Sequence, residues 1–479
     1  RGMLRAALLL ALVAGVCAEP DAGADVVAAA AAVRAGGGPA PDPVAATVHN
    51  ASFSRLFPPV FRVILLVALG VVGFGADVQI LQSWGLSLWQ SLEPVRLPSH
   101  RPSESHPPPT STTHAERGDS GAKPVYAIAL CHVLYALVFW VFYRACTAPV
   151  TGKRTYSAQC IEAATIVGLV TLWCVPGPFR RTQRAFARTL MRIISPSLRQ
   201  TVVFSDVLVA DALTSFAKVL GDVWLSVILL VYTLRGETAD DAMLWSRQTS
   251  IEMPLLTSIP SLIRLRQCIA SYRTAPRNAH GQAPTRHLFN ALKYASAFPV
   301  IWLGAAEGRV PLLIPKAWLF GFSEASLSYV LWLTAVLFNT VFSFYWDITY
   351  DWGLDLLQTS TFANINWRTP RLPVLHRRAG PRNEQYEGVQ LAARTAHGRR
   401  ASVLRTPEKP LPLPASVYYI LIVVNLLLRF TWSLKLSSHL HQLVEWENGL
   451  LLLEALELVR RSAWILLRVE WELVCQEQL

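Results

Sequence analysis

The sequence predicts an all-α protein, a polytopic transmembrane helical bundle of about nine or ten spans. Three observations carry that expectation. Apolar residues make up 52% of the 479-residue chain and charged residues only 16%, whereas soluble domains average about 25% charged. The apolar residues fall in blocks of roughly 15–25, the length a helix needs to cross a hydrocarbon core of about 30 Å. The 44 Lys and Arg, against 32 Asp and Glu, sit mostly between those blocks, where the loops of membrane proteins collect positive charge. That placement argues for a lipid bilayer, and against nucleic acid, as the partner of the +12 formal charge.

Residues 1–57 form an Ala/Gly/Pro-rich tail. Arg1 and Arg5 precede an apolar run from Ala6 to Val16, which fits a signal peptide or an unstructured Ala-rich tail equally well. The sequon Asn50-Ala51-Ser52 lies within ten residues of the first apolar block, close enough to the membrane to disfavour its use. Spans follow at 58–82, 125–145, 158–176, 202–234, 250–271, 286–306, 326–350, 415–436 and 449–470. Block 202–234 is about 50 Å long as a helix, so it is tilted or hides a break. Residues 179–200 carry six arginines on a partly amphipathic pattern and read as an interfacial helix or a short tenth span. Segments 98–124 and 370–414 lack apolar periodicity and read as disordered loops.

Loop charge sets orientation. Residues 351–414 carry ten Lys/Arg, from Arg368 to Lys409, while 437–448 carry none. Loops 272–285 and 351–414 and the C-terminus are therefore placed in the cytosol. The N-terminus is lumenal with nine spans and cytosolic with ten. The division that results is a tail over 1–57, N-terminal helices over 58–200, and a second transmembrane region over 201–475.

Charged residues inside apolar blocks mark polar cavities or partners, because each costs about 2.5–3.5 kcal/mol at a helix centre on insertion scales. Asp347 and Asp351 are spaced i,i+4 and share a helical face; alternatively they mark a helix end with an aromatic belt of Trp346 and Trp352. Arg429, Trp432 and Lys435 form a polar-aromatic stripe, and Glu457 can pair with Arg461 at i,i+4. Asp206, Asp211, Lys218 and Asp222 interrupt 202–234, and Lys293 and Tyr294 sit about two turns into 286–306. Cations, carboxylates and a tyrosine on five spans suit a small oxyanion: Arg offers a planar fork for phosphate oxygens, Lys a point charge, Tyr a neutral donor. Carboxylates would hold the arginines and accept the proton of monohydrogen phosphate. No GxxxxGK[ST], HExxH or GxSxG occurs, so an enzyme is not expected. His439-Leu440-His441 is a lone HxH, and no metal and no cofactor are expected.

Five runs then carry a resemblance: Ser261-Leu-Ile-Arg-Leu-Arg-Gln-Cys-Ile-Ala-Ser-Tyr-Arg273, His287-Leu-Phe-Asn-Ala-Leu-Lys-Tyr294, Tyr345-Trp-Asp347 with Asp351-Trp-Gly-Leu354, Leu428-Arg-Phe-Thr-Trp432, and Glu454-Ala-Leu-Glu-Leu-Val-Arg-Arg-Ser-Ala-Trp464 with Arg468-Val-Glu470. In this order they resemble the signatures of the EXS domain, over about residues 200–475. That family includes eukaryotic phosphate exporters, which carry a cytosolic SPX sensor domain, and a shorter fungal Golgi branch named for defective retention of endoplasmic-reticulum proteins. The 57 residues before the first span are too few for SPX and contain no lysine, so the resemblance implies the short branch. It also implies a phosphate path lined by Asp211, Lys293, Tyr294, Asp347, Asp351, Arg429, Trp432, Glu457, Arg460 and Arg461. Thr214 stands where the family has an amide, which puts its role as a ligand in doubt.

The resemblance thus implies a Golgi membrane protein, with the endoplasmic reticulum as second choice. It passes inorganic phosphate released by lumenal glycosylation to the cytosol and so supports retention of Golgi glycosyltransferases. The rival is a non-transporting sorting scaffold that holds those enzymes through its basic cytosolic loop. A homodimer stays open.

Overall fold

The computed structural model describes residues 53, 56–86, 121–147, 155–174, 180–195, 197–239, 250–276, 284–306, 324–357, 404–405, 411–434 and 447–476. The possible signal peptide, the Asn50 sequon and the HxH lie outside the described residues, as does most of 370–414. Within the last segment, however, Leu404 and Arg405 are buried. The described residues are helical, with no strand among them.

Twelve α-helices occur among the described residues. They are α1 (Pro59–Ser83), α2 (Lys123–Cys146), α3 (Tyr156–Cys174), α4 (Arg180–Ile194), α5 (Phe204–Ser215), α6 (Val219–Leu234), α7 (Glu252–Thr274), α8 (Arg286–Ala295), α9 (Ala297–Ala306), α10 (Glu324–Trp346), α11 (Ala415–Leu434) and α12 (Glu447–Gln476). Helix α1 starts on Pro59, whose missing N–H would be unsatisfied there in any case. It stops at Gly85, φ 74°, where the Leu86 N–H reaches the Leu81 carbonyl and the Gly85 N–H that of Gln82.

The 202–234 block does hide a break. Helices α5 and α6 meet at a 73° bend. No proline is present there; instead the Thr214 hydroxyl donates back to the Asp211 carbonyl at 2.7 Å, competing with the backbone ladder in the last turn of α5. The 286–306 block is likewise divided, at Ser296, into α8 and α9. Helix α10 ends differently from the sequence reading. Residues Asp347–Asp351 form a π-helical turn, closed by the Trp352 N–H on the Asp347 carbonyl at 2.9 Å. Trp346 and Trp352 are buried, which excludes the lipid-facing aromatic belt as an explanation of the two aspartates.

Among the described residues, four helices are long and apolar enough to cross a membrane, α1, α2, α3 and the run from Leu327 through the π turn, and a fifth is added if the bent α5–α6 pair is one span. Helix α1 packs on α2, α6 and α12, and α12 packs in turn on α11 and α5. One apolar core joins Val78 and Leu81 of α1 to Trp464 and Leu467 of α12 and to Trp352. A second joins Phe57, Phe61 and Ile64 to Leu451 and Leu458 at the other end of α12. With both cores holding α12 in place, its polar face lies in register against α5 and α11.

Candidate functional site

Six helical segments bring charge to one place. Helix α5 supplies Asp211, Thr214 and Ser215; α7 supplies Arg264; α8 supplies Lys293 and Tyr294; the π turn supplies Asp347 and Asp351; α11 and α12 supply Asn425, Arg429, Glu457, Arg460 and Arg461. A cavity among them encloses about 550 Å³ of empty space, its open mouth included. Asp211, Lys293, Tyr294, Arg429, Glu457, Arg460 and Arg461 line it, together with Thr214, Ser261, Asn339 and Ser343.

Three hydrogen-bonded groups build its walls. In the first, the Asp211 Oδ1 accepts from the Tyr294 hydroxyl at 2.5 Å and from the Arg264 Nε at 2.9 Å. The Arg264 guanidinium also lies 4.7 Å from the Tyr294 ring centre. In the second, the Lys293 ammonium donates to Asp347 at 2.9 Å and to Asp351 at 3.2 Å. The π turn therefore presents both carboxylates to one cation, as the i,i+4 spacing suggested. The far oxygen of Asp347 accepts from Arg429 Nη2 and from the Asn425 amide.

The third group corrects an expected pairing. Glu457 does not pair with Arg461 at i,i+4; it takes Arg460 at i,i+3, with Nε and Nη2 donating to its two oxygens at 2.8 and 2.6 Å. Arg461 turns to α5 instead, donating to the Ser215 hydroxyl at 2.9 Å and the Thr214 hydroxyl at 2.8 Å. The Ser215 hydroxyl donates onward to Glu457 at 2.7 Å. The reason is packing: α12 lies on α5, which offers Arg461 a pair of hydroxyls while the fork of Arg460 satisfies Glu457 bidentately. Arg460 Nη1 also donates to the Asn425 carbonyl oxygen at 3.0 Å, so Asn425 bridges α12 to Asp347.

Among the described residues, the carboxylates Asp211, Asp347, Asp351 and Glu457 face the cations Arg264, Lys293, Arg429, Arg460 and Arg461, an excess of one positive charge. Arg468, 3.9 Å from Asp351, is itself paired with Glu472 at 2.9 Å and adds no net charge. Arg461 has no carboxylate at ion-pair distance among the described residues, and its guanidinium sits 4.9 Å from the Trp464 ring. Among the described residues, two buried atoms of the lining have no hydrogen-bond partner, Asp211 Oδ2 and Arg429 Nε. A buried unsatisfied acceptor and donor in one cavity match a ligand that both accepts and donates.

Of the residues singled out from sequence, seven line the cavity and Asp347 and Asp351 stand directly behind it. Trp432 lies on α11, and its side chain and Lys435 lie outside the described residues. Sequence reasoning passed over Arg264, Ser215 and Asn425. Arg264 lies inside the Ser261 to Arg273 run, and Asn425 interrupts the otherwise apolar Ile420–Leu428; both were signals of a polar lining. Thr214 keeps a place in the lining, with a hydroxyl where an amide was expected.

The helices and the site define the class: an all-α membrane protein with a buried, net cationic cavity walled by paired charges. The chain belongs to the EXS family, whose sequence model matches residues 57–474. The match takes in the N-terminal helices as well as the 200–475 region that carries the motifs. Protein ERD1 homolog 1 of Schizosaccharomyces pombe is 24% identical over 291 residues, 60% of this chain and 62% of that protein. Protein ERD1 homolog 2 of the same organism is 23% identical over 359 residues, 71% of this chain and 74% of that one. Human Solute carrier family 53 member 1 is 21% identical over 297 residues, 60% of this chain and 34% of the human protein.

Proposed function

We propose that the chain is an inorganic phosphate transporter or channel of the Golgi membrane. It returns to the cytosol the phosphate released by lumenal glycosylation and so sustains glycosylation and the retention of Golgi glycosyltransferases. The observation that carries this reading is the cavity's unequal pairing. Arg460 and Lys293 are neutralised by carboxylates, whereas Arg461 is held by hydroxyls alone among the described residues. A monohydrogen phosphate there accepts from Arg461 and Arg429 Nε and donates its proton to Asp211 Oδ2. Full pairing of the other cations keeps the site from binding phosphate too tightly to release it. Membership of a family that reaches a human solute carrier supports carriage rather than catalysis, and the resemblance to the short fungal branch supports the Golgi.

The same reading assigns nine spans, with α5–α6 and α8–α9 each crossing once, α4 in the membrane plane, the N-terminal side lumenal and the C-terminus cytosolic. Helices α7, α8 and α12 fall short of an apolar span in composition because they carry the charges that line the cavity. Purified protein in proteoliposomes tests the function. Flux of radiolabelled phosphate above that of protein-free vesicles, abolished in Arg460→Ala, is the expected result, and flux equal to protein-free vesicles refutes it.

The scaffold reading has one observation in its favour: Leu404 and Arg405 fasten the end of the basic loop to the bundle. Rescue of glycosyltransferase retention by a transport-dead Arg429→Ala variant is the result that favours it.

A further inference from the structure

Helix α4 takes no part in the cavity, yet its sequence is unlike that of any other helix among the described residues. Arg180, Arg181, Arg184, Arg188 and Arg192 fall within 15 residues that contain no acidic side chain. At 3.6 residues per turn the five lie within an arc of about 120°, with Phe186, Leu190, Ile193 and Ile194 opposite. Arg184 and Arg188 are exposed, as are Phe186 and Ile194. Arg188 makes a hydrogen bond to the Arg184 carbonyl of its own helix. A cationic stripe beside exposed apolar side chains is the pattern of a helix lying in a membrane interface.

The structure fastens this helix at both ends. At its start, Gln183 donates to the Leu172 carbonyl at 3.3 Å, and Phe186 packs on Trp173 in the last turn of α3. At its end, Arg266 of α7 donates to the carbonyls of Ile193, Ser195 and Ser197, which the helix terminus leaves unsatisfied. Arg192 grips Asp206 in the first turn of α5, with Nη2 at 2.6 Å and Nε at 2.9 Å from Oδ1. From there hydrogen bonds continue inward. The Asp206 carbonyl accepts from the Gln267 amide at 3.2 Å, Gln267 accepts from Arg264, and Arg264 donates to Asp211 in the cavity wall.

We propose that α4 is a docking site for the anionic headgroups of the bilayer surface, and that its docking is coupled to the cavity through Asp206, Gln267 and Arg264. Arg184 and Arg188 meet the lipid phosphates while Phe186 and Ile194 enter the acyl boundary. Docking holds Arg192 on Asp206 and so steadies the bonds that orient Asp211. The occupant follows from charge complementarity: the exposed Arg184 and Arg188, on a helix with no acidic residue, suit a negative surface. The docking claim stands apart from phosphate passage; the coupling claim rests on it.

Hydrogen–deuterium exchange of residues 180–194 tests docking on the full chain, in nanodiscs of phosphatidylcholine with and without phosphatidylserine. Exchange slows in the phosphatidylserine discs, and Arg184→Gln with Arg188→Gln removes that slowing by about fivefold per arginine. The Lys/Lys double variant retains it, which separates lost charge from misfolding. Equal exchange in both discs overturns the proposal. Phosphate flux in vesicles of the same two compositions tests coupling: the wild type is faster with phosphatidylserine, and the Gln/Gln variant runs at the wild-type rate in phosphatidylcholine without responding to it. Slowed exchange with no flux in either vesicle upholds docking and refutes phosphate passage. Flux that ignores lipid charge overturns the coupling.

Discussion

Individual side chains in the cavity wall do two different jobs, and substitutions separate them. Arg264 is structural: buried against Asp211, it is the cation within hydrogen-bond distance of that carboxylate. Arg264→Ala leaves Asp211 buried with the Tyr294 hydroxyl, and removing one partner of a buried pair costs about 3–5 kcal/mol. The midpoint of thermal unfolding in detergent should fall clearly, whether or not phosphate is present. Arg461 is the opposite case. Its partners are the hydroxyls of Thr214 and Ser215, which accept from it and keep their own donated bonds to the Asp211 carbonyl and to Glu457 when the guanidinium is gone. Arg461→Gln is expected to leave the unfolding midpoint nearly unchanged and to raise the KM for phosphate at least tenfold, the loss of one charge-assisted hydrogen bond worth about 1.5–3 kcal/mol. The intramembrane cations were legible in the sequence because only 16% of the chain is charged. Their pairing was not. Spacing on α12 offered Glu457 both Arg460 and Arg461, and the choice is made by α5, which no local pattern on α12 could report.

At the scale of elements, helix interruptions place the site. The bend after Ser215, the break at Ser296 and the π turn at Asp347–Asp351 all fall beside lining residues, and each turns side chains that a straight helix would aim elsewhere. The excess length of 202–234 announced the first. The second and third carry no proline or glycine at the break itself, so apolar patterning ran straight through them. The π turn is secured from below. Arg405 donates to Glu470 at 2.7 and 2.8 Å, to the Trp352 carbonyl at 2.5 Å and to the Gly353 carbonyl at 3.2 Å, and stacks 4.8 Å from the Trp471 ring. Gly353 itself has φ 57°, and a Cβ there would run into Trp471. Gly353→Ala should therefore destabilise by at least about 1 kcal/mol through backbone strain, with more from the collision. Because it disturbs the turn that carries Asp347 and Asp351, it should also lower the maximal flux while Arg264 and its partners remain in place. Limited proteolysis alongside the flux assay checks both. That Leu404 and Arg405 belong to the bundle was hidden in a segment whose composition reads as a loop throughout.

The whole molecule is a helical bundle whose charges divide between loops and cavity. In the proposed topology loop arginines set orientation, and that proposal can be tested independently of transport. A glycosylation sequon introduced between residues 307 and 323 should be used, and one introduced between 277 and 283 should not; the reverse pattern would invert the assignment of lumen and cytosol. The all-α class and the membrane setting were visible in composition and block length. Of the nine or ten spans expected, four or five meet the length and composition of a span among the described residues; the cavity-walling helices α7, α8 and α12 hold charges and do not. The central claim is that the cavity between α5, α7, α8, α11 and α12 carries inorganic phosphate across the membrane. Its most direct test is phosphate flux through the purified protein in proteoliposomes, with wild type, Arg460→Ala and Arg461→Gln compared side by side. The account predicts robust flux for the wild type, none for Arg460→Ala, and flux restored for Arg461→Gln only at raised phosphate. Undiminished flux through both variants would show that phosphate, if it crosses, does so by another route.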